Sequence, residues 1–389
     1  MSKTKDTKNP ISNFSTQEGL SGEKHFSKRE IFLSRVKRRF LKHVWVARVV
    51  LFSAVVLGIY ILVVGLGLIF RNLGIFKYTR FAYDFAFPKI KNIETSGGRT
   101  NVLILGKAGE GNTAPDLTDT IILASISHNN PQITLVSLPR DIWIPSLRAK
   151  LNSTYYWGNQ KREGGGLILA KSSAEEVVGE PVHYGVVIDF SGFVKVVDIL
   201  GGIEVDIERA FTDEFYPIAG REDDECDGDP EFNCRYETIS FSSGPQTIDG
   251  ETALKFVRSR NAEGDEGTDI ARAKRQQKIL ASLKKKILSP GVFFSPEKVS
   301  ALIEIAKTSI ETDIAGNAAA VLLRRILDTG ENINSYVLPE ELLFNPPKSF
   351  IYDNLYVFVP KAEGWEEVHG WVDCVLAGGS CEPGSFVNR

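Results

Sequence analysis

The sequence lacks the signatures of several common enzyme classes. No Gly-x-Ser-x-Gly occurs, the five histidines fall in no motif, and the four cysteines stand in two close pairs. Serine and cysteine nucleophiles therefore find little support. The glycine-containing segment GKAGEGNTAPDLTDT, residues 106–120, has no Gly-Lys-Ser/Thr ending, which argues against a P-loop. No internal repeat is found, and no strong overall charge: 46 basic side chains face 49 acidic ones, a net charge of −3. That argues against a uniformly basic nucleic-acid binder. With 43% hydrophobic and 24% charged residues, a disordered or collagen-like chain is excluded. The abundant carboxylates leave a glycosidase-type pair open.

The most informative absence is local. From Val49 to Phe70 (VVLFSAVVLGIYILVVGLGLIF) there is no charged residue, and 22 residues at about 1.5 Å each are long enough to cross a bilayer core of about 30 Å. Residues 1–48 hold 12 basic and 4 acidic side chains, net +8, and the rest of the chain is net −11. By the positive-inside rule the N-terminus is expected in the cytoplasm and the remainder outside it, in a single-pass membrane protein. All four cysteines follow the apolar run. In an oxidising compartment Cys226–Cys234 and Cys374–Cys381 read as two local disulfides. Zinc is the competing reading, but neither pair has zinc-knuckle spacing and no histidine lies near the first.

The organisation predicted is a basic cytoplasmic tail (1–48), a transmembrane helix (49–70) and a juxtamembrane stalk (71–98). A catalytic domain (99–290) with an acidic insertion near 210–236 follows, and then a C-terminal region (291–389) packing on or extending that domain. Asn101–Gly106, Thr120–Ile126 and Gln132–Leu138 are short branched apolar runs that read as strands. The second and third are joined through His128-Asn129-Asn130-Pro131, a hairpin turn. Helical spacing at Leu167–Val178 and Phe190–Leu200 alternates with strands at Gly185–Ile188 and Ile203–Ile207. Further helices are expected near Asp249–Val257, Asp269–Leu288, Glu297–Ile310 and Ala315–Leu327, strands near Tyr336–Leu338 and Leu355–Val359, and a last helix holding Cys374. This alternation indicates an α/β class: a layered α-β-α arrangement with a mixed central sheet flanked by helices.

Arginine placement carries the chemistry. On the helix from Asp269, the apolar face of Ile279, Leu280, Leu283 and Ile287 runs back into Gln276, Arg275 and Arg272. Guanidinium groups turned toward the protein body need a counter-ion or an anionic ligand, because burying them unpaired costs several kcal/mol. Arg140 follows a strand in SLPRD, where α/β proteins place ligands. Arg258 and Arg260 leave a helix two residues apart, a spacing that shares a side in extended chain. Arginine forks match phosphate oxygens. Asp119, just before the second strand, is either their counter-ion or a magnesium ligand.

Taken with their order, six blocks are familiar: LTDTIIL, SLPRDIWI, AKLNSTYYWG, VVIDFSGFVKVVDILGGIEVDI, GPQTIDGETALKFVRSR and DIARAKRQQKIL. Over about residues 101–288 the chain resembles the LytR-CpsA-Psr family of bacterial envelope proteins. The resemblance implies a phosphotransferase that moves a glycan phosphate from a polyprenyl-pyrophosphate carrier onto a wall acceptor, usually peptidoglycan. It implies that Arg140, Arg258, Arg260, Arg272 and Gln276 hold the pyrophosphate, with Arg275 and Lys150 supporting them. Asp119 would bind Mg2+ (or Mn2+), with Asp141 as an orienting neighbour, and Phe190, Phe193 and Val197 would line a lipid tunnel or, as favoured, belong to the core. Partners implied are the lipid-linked glycan, the wall acceptor and the membrane, with no nucleic acid. Two positions depart from the family pattern: Ala108, where many members carry a metal-binding aspartate, and Leu117, where many carry an arginine. Glu110 or Asp116 are candidates to replace the missing carboxylate. The alternative function is a non-catalytic, polyprenyl-lipid-binding envelope or regulatory protein.

Overall fold

The computed structural model describes residues 83–109, 114–221, 223–379 and 381–382, with five further positions between 52 and 60. The chain divides into two units, Met1–Phe76 and Lys77–Arg389. In the first, Phe52, Leu57 and Tyr60 are helical and exposed. The rest of the apolar run Val49–Phe70 and the basic tail lie outside the described residues. Among the described residues no helix is long and apolar enough to cross a membrane.

The second unit opens with three strands, β1 (Arg99–Lys107), β2 (Thr118–Ser127) and β3 (Ile133–Ser137), then helices α1 (Thr154–Lys161) and α2 (Gly165–Val178). Strand β4 (Tyr184–Asp189) runs directly into α3 (Phe190–Leu200). Four strands follow: β5 (Ile203–Ile207), β6 (Phe211–Pro217), β7 (Tyr236–Phe241) and β8 (Gly244–Ile248). The remainder is α4 (Gly250–Arg258), α5 (Asp269–Ile287), α6 (Pro296–Thr308), β9 (Ile310–Thr312), α7 (Gly316–Asp328), β10 (Ile333–Val337) and α8 (Glu366–Ala377).

Six strands form the central sheet in the order β9-β4-β1-β2-β3-β10. β1, β2 and β3 are antiparallel neighbours, as the hairpin turn predicts. β4 joins β1 and β10 joins β3 in parallel, while β9 is antiparallel to β4. β1, β3, β4 and β10 therefore point the same way, and their carboxyl ends share one edge. The sheet is covered on both faces, which is why β2 reads as a continuous apolar run. Leu103, Leu105 and Leu123 pack with α2 and α8 on one face. Val102, Ile122 and Leu135 pack with α7 on the other. A further cluster joins α3, α4 and α5 to the small sheets β5/β8 and β6/β7. The architecture is thus mixed α/β, with helices on both sides of the sheet.

Local chemistry sets several boundaries. Asp189 caps α3 by accepting from the Gly192 N–H at 2.7 Å, and Gly201, at φ +78°, closes it in the left-handed conformation. Asp249 and Thr268 cap α4 and α5 in the same way.

The segment at 210–236 departs from its reading as an unpatterned insertion. It begins with β6, paired antiparallel with β7, and only the hairpin tip is irregular. Two features conceal the strand: its inward position 213 is an aspartate, wholly buried, and the pairing shifts register between Asp213 and Tyr216. The Cys226–Cys234 disulfide ties the tip, with Cα atoms 5.5 Å apart. Cys374–Cys381, at 5.8 Å, ties the end of α8 to the chain beyond it. The end of the predicted stalk is bound to the domain, where Ile93 is buried and the Glu94 N–H donates to the Tyr184 hydroxyl at 2.9 Å. The strand expected at Leu355–Val359 shortens to Val359–Pro360, paired with Leu343–Phe344. Residues after 290 supply two of the six central strands and α8, so they build the same sheet as residues 99–189.

Candidate functional site

A cleft opens at the carboxyl edge of the parallel strands, where open α/β sheets bind ligands. It is lined by Asp119 at the start of β2, Arg140 and Asp141 just past β3, and Asp269, Arg272 and Gln276 on the first turns of α5. The sequence brings these together simply. Leu138-Pro139 stops β3, so Arg140 emerges at the sheet edge. Arg272 and Gln276, four residues apart, share a helix face.

The cleft carries a chain of alternating charge. Arg140 Nη1 lies 2.6 Å from Asp119 Oδ1, its Nε 3.4 Å from Asp141 Oδ2, and Lys150 Nζ 2.6 Å from Asp141 Oδ1. Lys150 reaches Asp141 because the short Trp143–Ile144 and Ala149–Lys150 strands fold back on each other. Burial opposes the charge on Arg140, but Asp119 and Asp141 outweigh it and hold the guanidinium above its ordinary value.

Arg272 is different. It is buried, and the ion pair it makes is with Asp269 of its own helix, at 2.9 Å. Burial lowers its pKa to about 10; Asp269 and Asp119 oppose this, while Arg260 and Arg140 add to it. An arginine at that value remains protonated at neutral pH. Burial lowers the pKa of Arg275 as well, so what sets Arg272 apart is its partners: among the described residues its ion pair is with Asp269 of its own helix.

The two arginines after α4 part company. Arg258 stacks over Phe190 at 4.5 Å and lies 5.7 Å from the Tyr216 ring, and it also hydrogen-bonds the Tyr216 side chain. Arg260 is exposed, and its charge is felt at Arg272. Neither lines the cleft. Buried Asp213 organises this turn. Its Oδ2 accepts from Ser259 Oγ at 2.7 Å and from the Arg260 and Asn261 N–H groups at 3.1 Å each.

Arg275 is not a ligand residue by position. Its Nε donates to the Phe256 carbonyl (3.0 Å), its Nη2 to the Ser259 carbonyl (2.7 Å) and its Nη1 to Glu266 (2.8 Å). It also packs 4.8 Å from the Phe211 ring. Arg275 thus holds the end of α4, from which Arg258 and Arg260 emerge. Gln276 lines the cleft as expected, whereas the neighbouring Gln277, overlooked in the sequence, is buried and donates to Ser137 Oγ (2.8 Å) and the Tyr336 carbonyl (2.6 Å). It pins α5 across β3 and β10. Val197 is fully buried and Phe193 packs against the same cluster, the core role favoured for them.

For a divalent cation the donor set is spare. Asp119 is 43% exposed at its side chain and shares one oxygen with Arg140. Asp116 is paired with Lys107 at 2.8 Å, position 108 is alanine, and Glu110 lies outside the described residues. One carboxylate suits a magnesium ion completed by water and substrate phosphate oxygens, not an all-protein cage. Among the described residues the one group of three candidate donors, Asp224 with Cys226 and Cys234, consists largely of disulfide sulfur.

Residues 82–370 match the LytR_cpsA_psr family. The polyisoprenyl-teichoic acid–peptidoglycan teichoic acid transferase TagU of Enterococcus faecalis is 28% identical over 220 residues, 55% of this chain and 62% of that protein. The transferase of the same description, TagV, of Bacillus subtilis is 25% identical over 259 residues, 64% of this chain and 58% of that one. The chain thus spans less than two thirds of the length of these relatives. In fold, it superposes on the B. subtilis TagV crystal structure with a TM-score of 0.50 at 22% identity, covering 72% of this chain and 97% of the other. The Lin1025 protein of Listeria innocua gives 0.51 at 21%, covering 73% and 100%.

Proposed function

Because the chain belongs to the LytR_cpsA_psr family, we propose that it is a phosphotransferase moving a glycan phosphate from a polyprenyl-pyrophosphate carrier onto a cell-wall acceptor such as peptidoglycan. The observation that carries this is Arg272: a buried guanidinium facing a cleft, near Arg140 and Arg260, whose ion pair among the described residues is with Asp269. Relatives named as teichoic acid transferases to peptidoglycan support the class of reaction.

In the reaction an acceptor hydroxyl attacks the phosphorus that bears the glycan. The phosphodiester bond forms, the bond to the polyprenyl phosphate breaks, that phosphate leaves with the bridging oxygen, and the hydroxyl proton passes to water. Arg272, Arg140 and Gln276 hold the pyrophosphate oxygens, while Arg258 and Arg260 hold its outer side. Fixed guanidinium groups in a partly desolvated cleft lower the barrier by positioning and charge neutralisation. Asp119 keeps Arg140 in place through its 2.6 Å ion pair, and Lys150 does the same for Asp141. A magnesium or manganese ion, when bound, would add neutralisation of the non-bridging oxygens, held by Asp119 and the substrate. The apolar run Val49–Phe70 would anchor the protein, with the basic tail in the cytoplasm and the domain outside.

The test uses the full chain in lipid nanodiscs carrying a polyprenyl-pyrophosphate-linked glycan, with release of polyprenyl phosphate measured. Arg272→Ala should lower that release by about 10²–10³-fold, with an unchanged melting temperature. Equal release from wild type and variant would sink the reading.

A further inference from the structure

Two strands of the central sheet end in matching words. β3 and β10 run parallel in register, with Ser137 beside Val337. Past that pair the chain reads Leu138-Pro139-Arg140 on one strand and Leu338-Pro339-Glu340 on the other. The Leu338 N–H still donates to the Ser137 carbonyl, at 3.0 Å, and both leucines are buried. Each proline then stops its strand, having no N–H for the ladder. Neighbouring strands lie about 4.8 Å apart, so Arg140 and Glu340 leave the sheet edge at corresponding places. Both line the cleft.

Glu340 differs from the other carboxylates there. Asp119, Asp141 and Asp269 line the cleft with it. Asp119 is paired with Arg140, Asp141 with Arg140 and Lys150, and Asp269 with Arg272. A proton placed on any of these three would break an ion pair and leave a cation without its counter-charge. Among the described residues the Glu340 side chain enters no ion pair and no hydrogen bond. It is exposed, and so open to a ligand, on a backbone held in place from both sides. Leu338 and Leu342 flank it in the core, and the turn Glu340–Leu342 is closed by the Leu342 N–H donating to the Pro339 carbonyl at 3.2 Å. Burial, and then the charges of Asp141, Asp269 and Glu340, raise the pKa of the Tyr356 phenol. The three carboxylates therefore lie about one point.

The transfer needs such a group. An attacking hydroxyl sheds its proton as its bond to phosphorus forms, and a positioned carboxylate takes that proton better than bulk water does. An aspartate fills this role in the protein kinases. Arg140 and Arg272 stay protonated at neutral pH and cannot fill it.

We propose that Glu340 is the general base of the transfer, its carboxylate taking the proton of the acceptor hydroxyl as the oxygen–phosphorus bond forms. The bridging oxygen leaves with its electron pair on the polyprenyl phosphate, and Glu340 then passes the proton to water. The proposal rests on the transferase reading and names the group that receives the proton first.

The experiment uses the full chain in lipid nanodiscs carrying a polyprenyl-pyrophosphate-linked glycan, with uncrosslinked peptidoglycan strands as acceptor. Transfer and donor binding are measured separately. Glu340→Gln keeps the shape and removes the basic oxygen, so kcat should fall by about 10²-fold or more, with donor affinity and melting temperature in place. Added formate should raise the rate of Glu340→Ala and not that of wild type, since a small carboxylate can stand in for the missing one. Glu341→Gln, one residue on and outside the cleft lining, should transfer at the wild-type rate. Transfer by Glu340→Gln at that same rate overturns the proposal. So does an equal fall in both glutamine variants, which would make the effect one of local charge. A changed donor KM with kcat intact also overturns it, because Glu340 would then act only as a repulsive neighbour of the anion. A wild-type chain that binds donor and transfers nothing overturns the transferase reading itself, and this assignment with it.

Discussion

Arg272 and Arg275 stand three residues apart on one helix, both buried, and differ in the partners around them. Every arm of Arg275 meets a protein acceptor: the Phe256, Ser259 and Glu266 carbonyls and the Glu266 carboxylate. Arg272 has one carboxylate at 2.9 Å and two other arginines pressing on its charge. The lesson is that burial of a charge does not identify a ligand site; the balance of its partners does. A compensated guanidinium is structure, and an undercompensated one at a cleft awaits an anion.

The comparison can be broken most directly at Arg275. Arg275→Met strands the Phe256 and Ser259 carbonyls and the Glu266 charge, so urea or thermal unfolding should show a loss of about 3–5 kcal/mol. At Arg272 the outcome should invert. Arg272→Met removes a poorly compensated charge, so stability should hold or rise while transfer falls by about 10²–10³-fold. Equal destabilisation by the two variants would erase the distinction. Gln277→Leu sharpens it further, because it removes the bonds to Ser137 Oγ and the Tyr336 carbonyl that fasten α5 to the sheet. About 1–3 kcal/mol of stability should be lost, with transfer reduced less than by Arg272→Met.

The far end of the sheet offers the mildest test. There Arg99 is compensated like Arg275, with Ser125, Thr134 and the Leu376 carbonyl as acceptors. His128, whose Nε2 lies 2.8 Å from Thr100 Oγ1, is held neutral: burial, then Arg325, Arg99 and His183, lower its pKa to about 4. A depressed histidine stabilises the fold above its unfolded pKa of about 6.5. That contribution should fade as pH falls from about 6.5 toward 4. Melting temperatures across this window should decline in wild type and flatten in His128→Gln. An equal decline in both would remove the role of His128.

Much of this was legible from residue order. Ile203–Ile207 and Phe190–Leu200 are bounded as their periodicity and the glycines after Leu200 dictate. The arginine positions followed from an apolar stripe that ran into charge. What stayed hidden depended on partners distant in the chain. Gln277 looks like a surface amide until Ser137, 140 residues away, comes within 2.8 Å. Asp213 looks like one more acid in an acidic stretch, yet it is wholly buried and holds the Ser259–Asn261 turn.

The sequence by itself determined the alternation of strand and helix, the helix caps, the pairing of neighbouring cysteines and the family. Each of these is written in local periodicity, in short-range hydrogen bonding or in motif order. Only the tertiary structure decided which arginine faces the cleft and which clamps a helix end, and that Glu340 and Phe358, far downstream in the chain, line the same cleft. A guanidinium's role is set by the acceptors around it, and those acceptors are backbone carbonyls and carboxylates that folding alone brings within hydrogen-bonding distance.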